Sequence, residues 1–364
     1  MRWKQELKEK IKSRAALEKL IVLAPHEKEW FAAAEAPAGK KAAPPCFGFQ
    51  VTPSYLALAG KAKNDPLRRQ CVPSAQEFRL RDGELSDPLG DAAHTKSPRL
   101  IHHYPDRALL LVTDECAMAC RYCFRRYYTG RGAGPIRGEE LRGVAAYLAA
   151  HPEIRELVLS GGDPLTLEDE QLFALIARLR KARPGLILRL STRVPVALPS
   201  RVTKSLARGL SLRQPLWGVI HINHPRELGL ACGEALRRLA AAGVPLLSQT
   251  VLLRGVNDSE DVLEELFRGL IARRVKPYYL FQADLAEGTG HFRVSLARGQ
   301  AIMRSLRRRL SALALPEYAL DLPGGGGKIP LTPSYMKSEN NKAIVFENTR
   351  GKKYRYPKNQ GGSL

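Results

Sequence analysis

The fold is decided by the stretch Cys116-Ala-Met-Ala-Cys120-Arg-Tyr-Cys123, which places three cysteines at spacings of four and three. The stretch follows an apolar run, Ala108–Thr113, and so lies at the end of a predicted strand. Thiolates are the natural ligands of iron–sulfur clusters. A four-iron cluster held by three cysteines keeps one iron open to a small molecule. The alternatives are a zinc site or unrelated thiols, but structural zinc usually takes four protein ligands.

The remaining composition predicts a cytoplasmic, soluble protein. The other three cysteines, Cys46, Cys71 and Cys232, are scattered, which does not suit the disulfide framework of a secreted protein. The first residues are charged and lack the apolar core of a signal peptide. No apolar stretch reaches the roughly 20 residues that a membrane helix needs. A reducing compartment also suits an oxygen-sensitive cluster, and no membrane partner is expected.

The chain carries a net charge of +22, from 58 basic and 36 acidic residues. Such a charge can indicate an anionic partner, with RNA as the first candidate. The basic residues are, however, spread from end to end, which favours an arginine-rich composition without a dedicated partner. We therefore do not expect nucleic-acid binding.

From about residue 105, short aliphatic runs alternate with amphipathic helical patterns. Six such units predict a parallel sheet covered by helices, an α/β fold best described as a partial (β/α)6 barrel. In such folds the chemistry lies at the carboxyl ends of the strands. The predicted strands are Arg107–Thr113, Arg155–Ser160, Leu186–Thr192, Leu216–Ile222, Val244–Leu252 and Lys276–Gln282.

The predicted domains are a helical N-terminal region (1–95), the barrel (96–315) and a C-terminal segment (316–364). Residues 1–22 are predicted to be helical, because Leu7, Ile11, Leu17 and Leu20 are apolar among charged residues. A long helix is predicted at about residues 295–312. Two strands, at 343–347 and 353–356, are predicted near the end of the chain.

Two further motifs carry chemistry. Ser160-Gly161-Gly162-Asp163-Pro164 closes the second strand, where glycines let the backbone approach a ligand closely, although the same residues form ordinary turns. Lys328 follows four consecutive glycines, which elsewhere indicate a flexible linker but here separate two proline-flanked apolar segments. A lysine on such a backbone can approach a flat cofactor and form a Schiff base with an aldehyde. Pyridoxal 5′-phosphate is the obvious partner.

The cysteine stretch resembles the motif of the radical S-adenosylmethionine (radical SAM) superfamily. Together with four further motifs, the chain resembles the lysine 2,3-aminomutase family of that superfamily from about Asp65 to Tyr335. The resemblance implies a [4Fe-4S] cluster, S-adenosyl-L-methionine and pyridoxal phosphate as cofactors, L-lysine as substrate, and a one-electron reductant such as flavodoxin or ferredoxin. The further motifs are Ser160–Leu165, His221–Pro225, Val251–Asp258 and Pro323–Lys328.

The resemblance also implies the role of each site residue. Cys116, Cys120 and Cys123 would hold the cluster, Lys328 the pyridoxal phosphate, and the segment His103 to Arg107, with Tyr104 and Arg107, its phosphate. Arg125 would bind the substrate carboxylate, since arginine presents a planar fork to such groups. Asp284 and Asp321 would bind the lysine ε-ammonium. The residues assigned to S-adenosylmethionine are Ser160, Gly161, Gly162, Asp163, His221 and Gln249.

The chain departs from the family in three places. It has no cysteine after Cys232, and Ser259 stands where relatives with a cysteine-rich tail have one, so we predict no intersubunit zinc and leave homo-oligomerisation open. Phe281 stands where many relatives have tyrosine. Three other readings remain: an enzyme that makes β-lysine for elongation factor P, a radical SAM enzyme that modifies RNA, and a non-enzymatic cluster carrier.

Overall fold

The chain is organised around one ten-stranded sheet whose strands follow one another in chain order. A computed structural model describes residues 1–36, 47–340 and 343–357, so Cys46 lies outside the described residues. A separate three-stranded sheet lies near the end of the chain. The strands of the large sheet are β1 Thr95–Ser97, β2 Leu100–Tyr104, β3 Arg107–Thr113, β4 Glu156–Gly161, β5 Ile187–Thr192, β6 Leu216–His221, β7 Leu246–Leu252, β8 Val275–Gln282, β9 Glu317–Leu322 and β10 Gly327–Pro330; those of the small sheet are β11 Met336–Glu339, β12 Ala343–Glu347 and β13 Lys353–Pro357.

Strands β3 to β9 run parallel to one another. Antiparallel pairs flank them, with β1 and β2 on one side and β10 on the other. The sheet is not closed into a barrel, since no pairing between β1 and β10 appears among the described residues. The helices are α1 Arg2–Lys8, α2 Arg14–Glu18, α3 Pro25–Ala34, α4 Pro53–Leu58, α5 Pro66–Cys71, α6 Asp91–His94, α7 Gly138–Ala150, α8 Asp169–Ala182, α9 Val194–Ala197, α10 Lys204–Ser211, α11 Leu230–Ala241, α12 Glu260–Ala272 and α13 Leu296–Arg309.

The helices between the strands pack on the sheet through one apolar face each. In α8 the buried residues recur at helical spacing, at Leu172, Leu175, Ile176 and Leu179. Along the strands, burial alternates, as in β7, where every second residue is fully covered and the others are half-buried. Two of these half-buried residues, Gln249 and Val251, line a cavity on the inner face of the sheet. The alternation therefore separates the packing face from the face that carries chemistry.

All six predicted strands are confirmed, and so is the open, mostly parallel α/β architecture. The sequence predicts six parallel strands, whereas the structure has seven, because β9 also pairs in parallel with β8. Its sequence, Glu317-Tyr-Ala-Leu-Asp-Leu, is short and half polar, and it becomes a strand through pairing with residues far away in sequence. Its addition matters because β9 and β10 carry Asp321 and Lys328.

The N-terminal prediction is only partly right. Residues 1–22 do not form one helix but two short ones, α1 and α2, separated at Ile11. The backbone of Ile11 pairs with Val51 in an isolated bridge, donating from its N–H to the Val51 carbonyl over 2.8 Å and accepting in return over 3.1 Å. This tertiary pairing competes with helix formation at Ile11.

The C-terminal elements agree with the prediction, since the bounds of α13 and of the strands β12 and β13 lie within three residues of their expected places. The domain boundaries stay predictions, although β9 and β10, in the predicted C-terminal segment, join the large sheet. Among the described residues, no helix is both long enough and apolar enough to cross a membrane.

Candidate active site

The residues predicted for the site line one cavity of about 450 Å³. The cavity lies on the inner face of the sheet and reaches the carboxyl ends of the parallel strands. The residues of the site prediction that line it are Tyr104, Arg107, Cys116, Cys120, Cys123, Arg125, Ser160, Gly161, Gly162, Asp163, His221, Gln249, Asp284, Asp321 and Lys328. The fold thus brings together side chains that are more than 200 residues apart in the sequence.

The loop with the three cysteines connects β3 to a short 3₁₀ helix, Phe124–Tyr127. The N-terminal region holds it from outside: the Lys10 ammonium donates to the Cys116 carbonyl over 3.0 Å, and the backbone N–H of Ala119 donates to the Gln50 carbonyl over 2.8 Å. The side chain of Lys10 is almost fully buried and also pairs with Glu115 at 2.9 Å. Segments between the N-terminal helices therefore help to fix the course of the loop.

The cysteine thiols are grouped closely enough to influence one another. Burial raises the pKa of Cys116 well above its ordinary value, and the neighbouring Cys123 and Cys120 raise it further. Burial, with Cys120 as the next cause, raises the pKa of Cys123 to about 11. Three thiolates in this place need compensating positive charge, which iron supplies. The donor set therefore fits an iron–sulfur cluster.

No three His, Cys, Asp or Glu side chains in the described parts of the chain are arranged to hold a single metal ion. A four-iron cluster does not require such convergence, because each cysteine would bind a different iron atom.

The Gly161-Gly162-Asp163 motif braces the cysteine loop. The N–H of Gly162 donates to the Thr113 carbonyl over 2.6 Å, and the N–H of Asp163 donates to the Glu115 carbonyl over 2.7 Å. Gly161 has a φ of +112°, and a Cβ on Gly162 would lie 2.3 Å from the Glu115 carbonyl oxygen. These glycines are therefore required for close contact between two strand ends.

The Asp163 carboxylate is engaged within the protein. It accepts hydrogen bonds from the Thr192 hydroxyl at 2.7 Å and from the N–H groups of Leu165, Arg193 and Val194. Burial nevertheless raises its pKa above the ordinary aspartate value. Asp163 thus joins the ends of β4 and β5.

Replacing Gly162 by alanine is expected to destabilise the fold by roughly 1–3 kcal/mol, because the new Cβ would overlap the backbone of the cysteine loop. Thermal unfolding measures the loss, and the iron content after reconstitution should fall with it. Gly143→Ala is the matched control, since Gly143 lies within α7 with nothing within 4 Å of an added Cβ. Equal melting temperatures for the two variants would contradict this account of Gly162.

Arg125 is nine-tenths buried, and its guanidinium has unused donors. Its Nε lies 3.5 Å from an Asp91 carboxylate oxygen, and its Nη1 lies 3.4 Å from the Ser160 hydroxyl, both long contacts. The buried Nε makes no hydrogen bond within the described structure. Asp91 itself accepts a hydrogen bond from the Tyr127 hydroxyl at 2.6 Å. Arg125 is thus fixed in place with capacity left for an anion in the cavity.

Lys328 lies on β10, held against both β9 and β2. Its ammonium is 3.1 Å from each carboxylate oxygen of Asp321, its register partner across the β9–β10 pair. Its backbone N–H donates to the Tyr104 hydroxyl over 2.9 Å. The Arg107 guanidinium stacks on the Tyr104 ring, 3.9 Å from its centroid. A reactive amine, a tyrosine and an arginine at the cavity wall fit a phosphorylated aldehyde such as pyridoxal phosphate.

Asp284 lies close enough to Asp321 and Lys328 for their charges to affect it. Burial raises the pKa of Asp284 to about 7, with the Asp321 carboxylate as the second cause, while Lys328 and Arg125 act in the opposite direction. Two carboxylates side by side on a cavity wall attract a cation and repel a second acid.

His221, the last residue of β6, is the register partner of Gln249 in the middle of β7. The His221 Nε2 lies 3.0 Å from the Tyr122 hydroxyl, beside the last cluster cysteine. Burial, together with the cationic Arg193, lowers the pKa of His221 to about 3, so the ring is neutral at ordinary pH. His221 and Gln249, which are predicted to lie near S-adenosylmethionine, therefore form a neutral, polar part of the cavity wall.

Two charged residues of the cavity that the sequence analysis missed are Asp91 and Arg193. Arg193 follows β5 directly, and its Nη2 donates to Glu227 at 2.7 Å and to Gln70 at 2.9 Å, while Nη1 and Nε are buried without a partner in the described structure. Its position at a strand end was a signal that could have been used. Asp91 lies in the predicted N-terminal region (1–95), where no local sequence pattern distinguishes it from other acidic residues.

Comparisons with known proteins show the family to which this chain is similar. The family model described as lysine-2,3-aminomutase matches residues 303–361, and that of the radical SAM superfamily matches residues 110–209. L-lysine 2,3-aminomutase of Acetoanaerobium sticklandii is 38% identical over 96% of this chain and 82% of its own length. That of Bacillus subtilis is 36% identical over 98% and 74%. Glutamate 2,3-aminomutase of Clostridioides difficile is 34% identical over 96% and 81%.

Proposed function

The chain belongs to the lysine 2,3-aminomutase family of radical SAM enzymes, and from that membership we propose that it interconverts L-lysine and L-β-lysine by moving the amino group between carbons 2 and 3. It is accordingly an isomerase, which sets aside the RNA-modifying and cluster-carrier readings. The observation that carries the choice of lysine is the pair Asp284 and Asp321 on the wall of the cavity that Arg125 also lines.

Arg125 and the two aspartates bind opposite ends of the substrate. The guanidinium of Arg125 binds the α-carboxylate through donors that make only long contacts with the described residues, 3.5 Å to Asp91 and 3.4 Å to Ser160. Asp284 and Asp321 bind the distal ammonium. A substrate with a carboxylate at the distal end, such as L-glutamate, would instead meet two like charges.

The residues proposed to bind the cofactors line the same cavity. Cys116, Cys120 and Cys123 hold the [4Fe-4S] cluster, and Lys328 holds pyridoxal phosphate, with Tyr104 and Arg107 at its phosphate. The cluster and S-adenosylmethionine together supply a hydrogen-abstracting 5′-deoxyadenosyl radical, and pyridoxal phosphate supplies an aldehyde for the migrating amino group. The residues assigned to S-adenosylmethionine are Ser160, Gly161, Gly162, Asp163, His221 and Gln249; in this assignment the first three present backbone and hydroxyl groups, and Asp163 positions them.

The reaction needs one electron at a time, so a small carrier of the flavodoxin or ferredoxin class is the proposed reductant. A reducing cytoplasm is the proposed compartment, because the cluster must be kept from oxidation.

The proposed function is tested by anaerobic reconstitution with iron, sulfide, pyridoxal phosphate and S-adenosylmethionine, followed by incubation with L-lysine, L-glutamate and L-ornithine separately. Formation of β-lysine, measured by chromatography, is expected to exceed conversion of the other two substrates. Turnover of another amino acid without β-lysine would refute the choice of lysine.

The efficiency of the reaction should depend on the protonation of Asp284. Its pKa of about 7 is raised above the ordinary aspartate value, so the carboxyl is protonated below pH 7 and no longer attracts an ammonium. We expect kcat/KM for L-lysine to fall by up to about tenfold per pH unit below pH 7, since this parameter reports ionisations of the free enzyme. His221 would not cause this inflection, because its pKa is about 3.

Steady-state measurements of kcat/KM between pH 6 and about 8.5 cover the range in which a group with a pKa near 7 titrates. The Asp284→Asn variant is the control, because asparagine has the same shape and does not titrate in this range. Its kcat/KM should be lower at high pH and nearly flat. An inflection near pH 7 that persists in Asp284→Asn would assign the titration to another group.

A further inference from the structure

The environment of the Lys328 ammonium shows what a primary amine meets in this part of the cavity. Its Nζ is 3.1 Å from both Asp321 carboxylate oxygens, 4.4 Å from the centroid of the Phe281 ring and 5.2 Å from that of Tyr279. The ammonium therefore touches two aromatic faces as well as a carboxylate. The proposed function uses the carboxylates and leaves the rings without a role.

Phe281 and Tyr279 are placed by β8 to act together. They are two residues apart on one strand and so point to the same face of the sheet, toward the cavity that both line. Their rings are stacked, with centroids 4.9 Å apart and planes inclined by 29°. Phenylalanine and tyrosine faces carry negative electrostatic potential, which attracts cations within about 6 Å of the ring centroid.

We propose that the faces of Phe281 and Tyr279, together with Asp284 and Asp321, form a subsite for a primary alkylammonium, and that the amine of Lys328, whenever it is free, competes with the distal ammonium of the substrate for it. This inference rests on the proposed function, in which the two aspartates bind that ammonium. The rings add a second, independent source of selectivity.

The rings also disfavour an anionic tail. A carboxylate placed over an aromatic face meets the negative side of the quadrupole, so the rings oppose a substrate such as L-glutamate even where a nearby arginine could balance the charge. Phe281 offers only its face, because it has no hydroxyl that could donate to a carboxylate. Phenylalanine at this position therefore sharpens selection for a cationic tail.

Competition by Lys328 determines the order in which the aldehyde and L-lysine bind to the site. A free Lys328 ammonium and a substrate ammonium cannot both lie against Asp321 and Phe281. Condensation of Lys328 with an aldehyde converts its ammonium into an imine, with release of water and a proton, so that no free ammonium of Lys328 is left in this subsite. L-lysine is therefore expected to bind only weakly to the chain that lacks the aldehyde.

Calorimetric titration without pyridoxal phosphate tests both parts of the proposal. The proteins are the full-length, cluster-reconstituted chain, its Lys328→Ala variant, and that variant with Phe281→Leu or Phe281→Tyr added. The ligands are L-lysine and L-norleucine, which has a similar chain length and no distal ammonium. We expect Lys328→Ala to bind L-lysine at least about tenfold more tightly than the unchanged chain, since it removes the competing cation.

Adding Phe281→Leu should weaken L-lysine binding by roughly fivefold or more, the range expected of a partly desolvated cation–π contact, while Phe281→Tyr should keep it. L-norleucine binding should be the same in all variants that carry alanine at 328, which also shows that the site is folded.

Two results would overturn the proposal. Equal L-lysine affinity in the unchanged chain and in Lys328→Ala would exclude competition. Equal losses for L-lysine and L-norleucine in Phe281→Leu would mean that the ring serves only for packing. The proposed function is tested separately by β-lysine formation in the fully loaded, unchanged enzyme, so a failure of the reaction and a failure of the ammonium subsite are distinguished.

Discussion

Lys328→Ala is expected to abolish β-lysine formation, with a loss of activity of at least about a thousandfold, the scale on which removal of a covalent catalytic group is felt. The physical reason is that the side-chain amine of Lys328 lies on the cavity wall and can form a Schiff base. The β9–β10 pair and the hydrogen bond from the backbone N–H of Lys328 to the Tyr104 hydroxyl fix its position. The absorbance of protein-bound pyridoxal should disappear in parallel. Iron content should not change, because the cysteines lie on a different loop.

Lys337→Ala is the matched control. Lys337 lies on β11, where its ammonium is 3.6 Å from Glu347, and it does not line the cavity. This variant should retain the pyridoxal absorbance and the activity. If Lys328→Ala formed β-lysine at a rate comparable to the unchanged enzyme, the assignment of the coenzyme to Lys328 would be wrong.

Cys123→Ala is expected to remove the catalytic cluster and with it all turnover. Three cysteines line the cavity, and with only two of them the cluster loses a ligand on which its assembly depends. The iron bound per chain after anaerobic reconstitution and the cleavage of S-adenosylmethionine should both fall to background. The pyridoxal absorbance should remain, because Lys328 is unaffected.

The chain provides a control cysteine. Cys232 is buried within α11, away from the cavity, and Cys232→Ala should cost about 1 kcal/mol of stability at most without changing the iron content. Full iron loading and S-adenosylmethionine cleavage in Cys123→Ala would show that the three cysteines are not the cluster ligands.

The opposite effects of the two substitutions are informative because Cys123 and Lys328, in the two halves of the site, are more than 200 residues apart in the sequence. Loss of the coenzyme without loss of iron in Lys328→Ala, and the reverse in Cys123→Ala, would establish that each half assembles on its own. The cavity then acts as the place where a radical made at one wall meets an amino acid held at the other. The distance between the halves in sequence makes this a property of the fold.

Much of the fold was readable from the sequence because it depends on local regularities. The six strands from Arg107 to Gln282 and the helices between them follow from alternation and from helical spacing of apolar residues. The seventh parallel strand was missed because its residues are not strongly apolar, and the break at Ile11 was missed because it depends on pairing with Val51. Both errors have the same physical origin, a tertiary contact that overrides local propensity.

The sequence by itself determined the chemistry that this protein can perform. The spacing of the three cysteines and the lysine after the glycine quartet are properties of the covalent chain, and they predicted an iron–sulfur cluster and pyridoxal phosphate without reference to a fold. S-adenosylmethionine followed from the resemblance of the cysteine stretch to the radical SAM motif. Strand ends are also locally encoded, and motifs placed there predicted a common site, since parallel strands end at one edge of a sheet.

Only the tertiary structure decided which groups act on one another. The contact of Lys328 with Asp321 depends on the register of β9 and β10. The contact of Lys10 with the Cys116 carbonyl depends on the path of the N-terminal region, and that of Arg125 with Asp91 depends on the position of α6, which precedes β1. Such contacts arise from the packing of the whole sheet and have no local signature. The aromatic environment of the Lys328 ammonium is of the same kind, because it is created where β8 and β10 face one cavity.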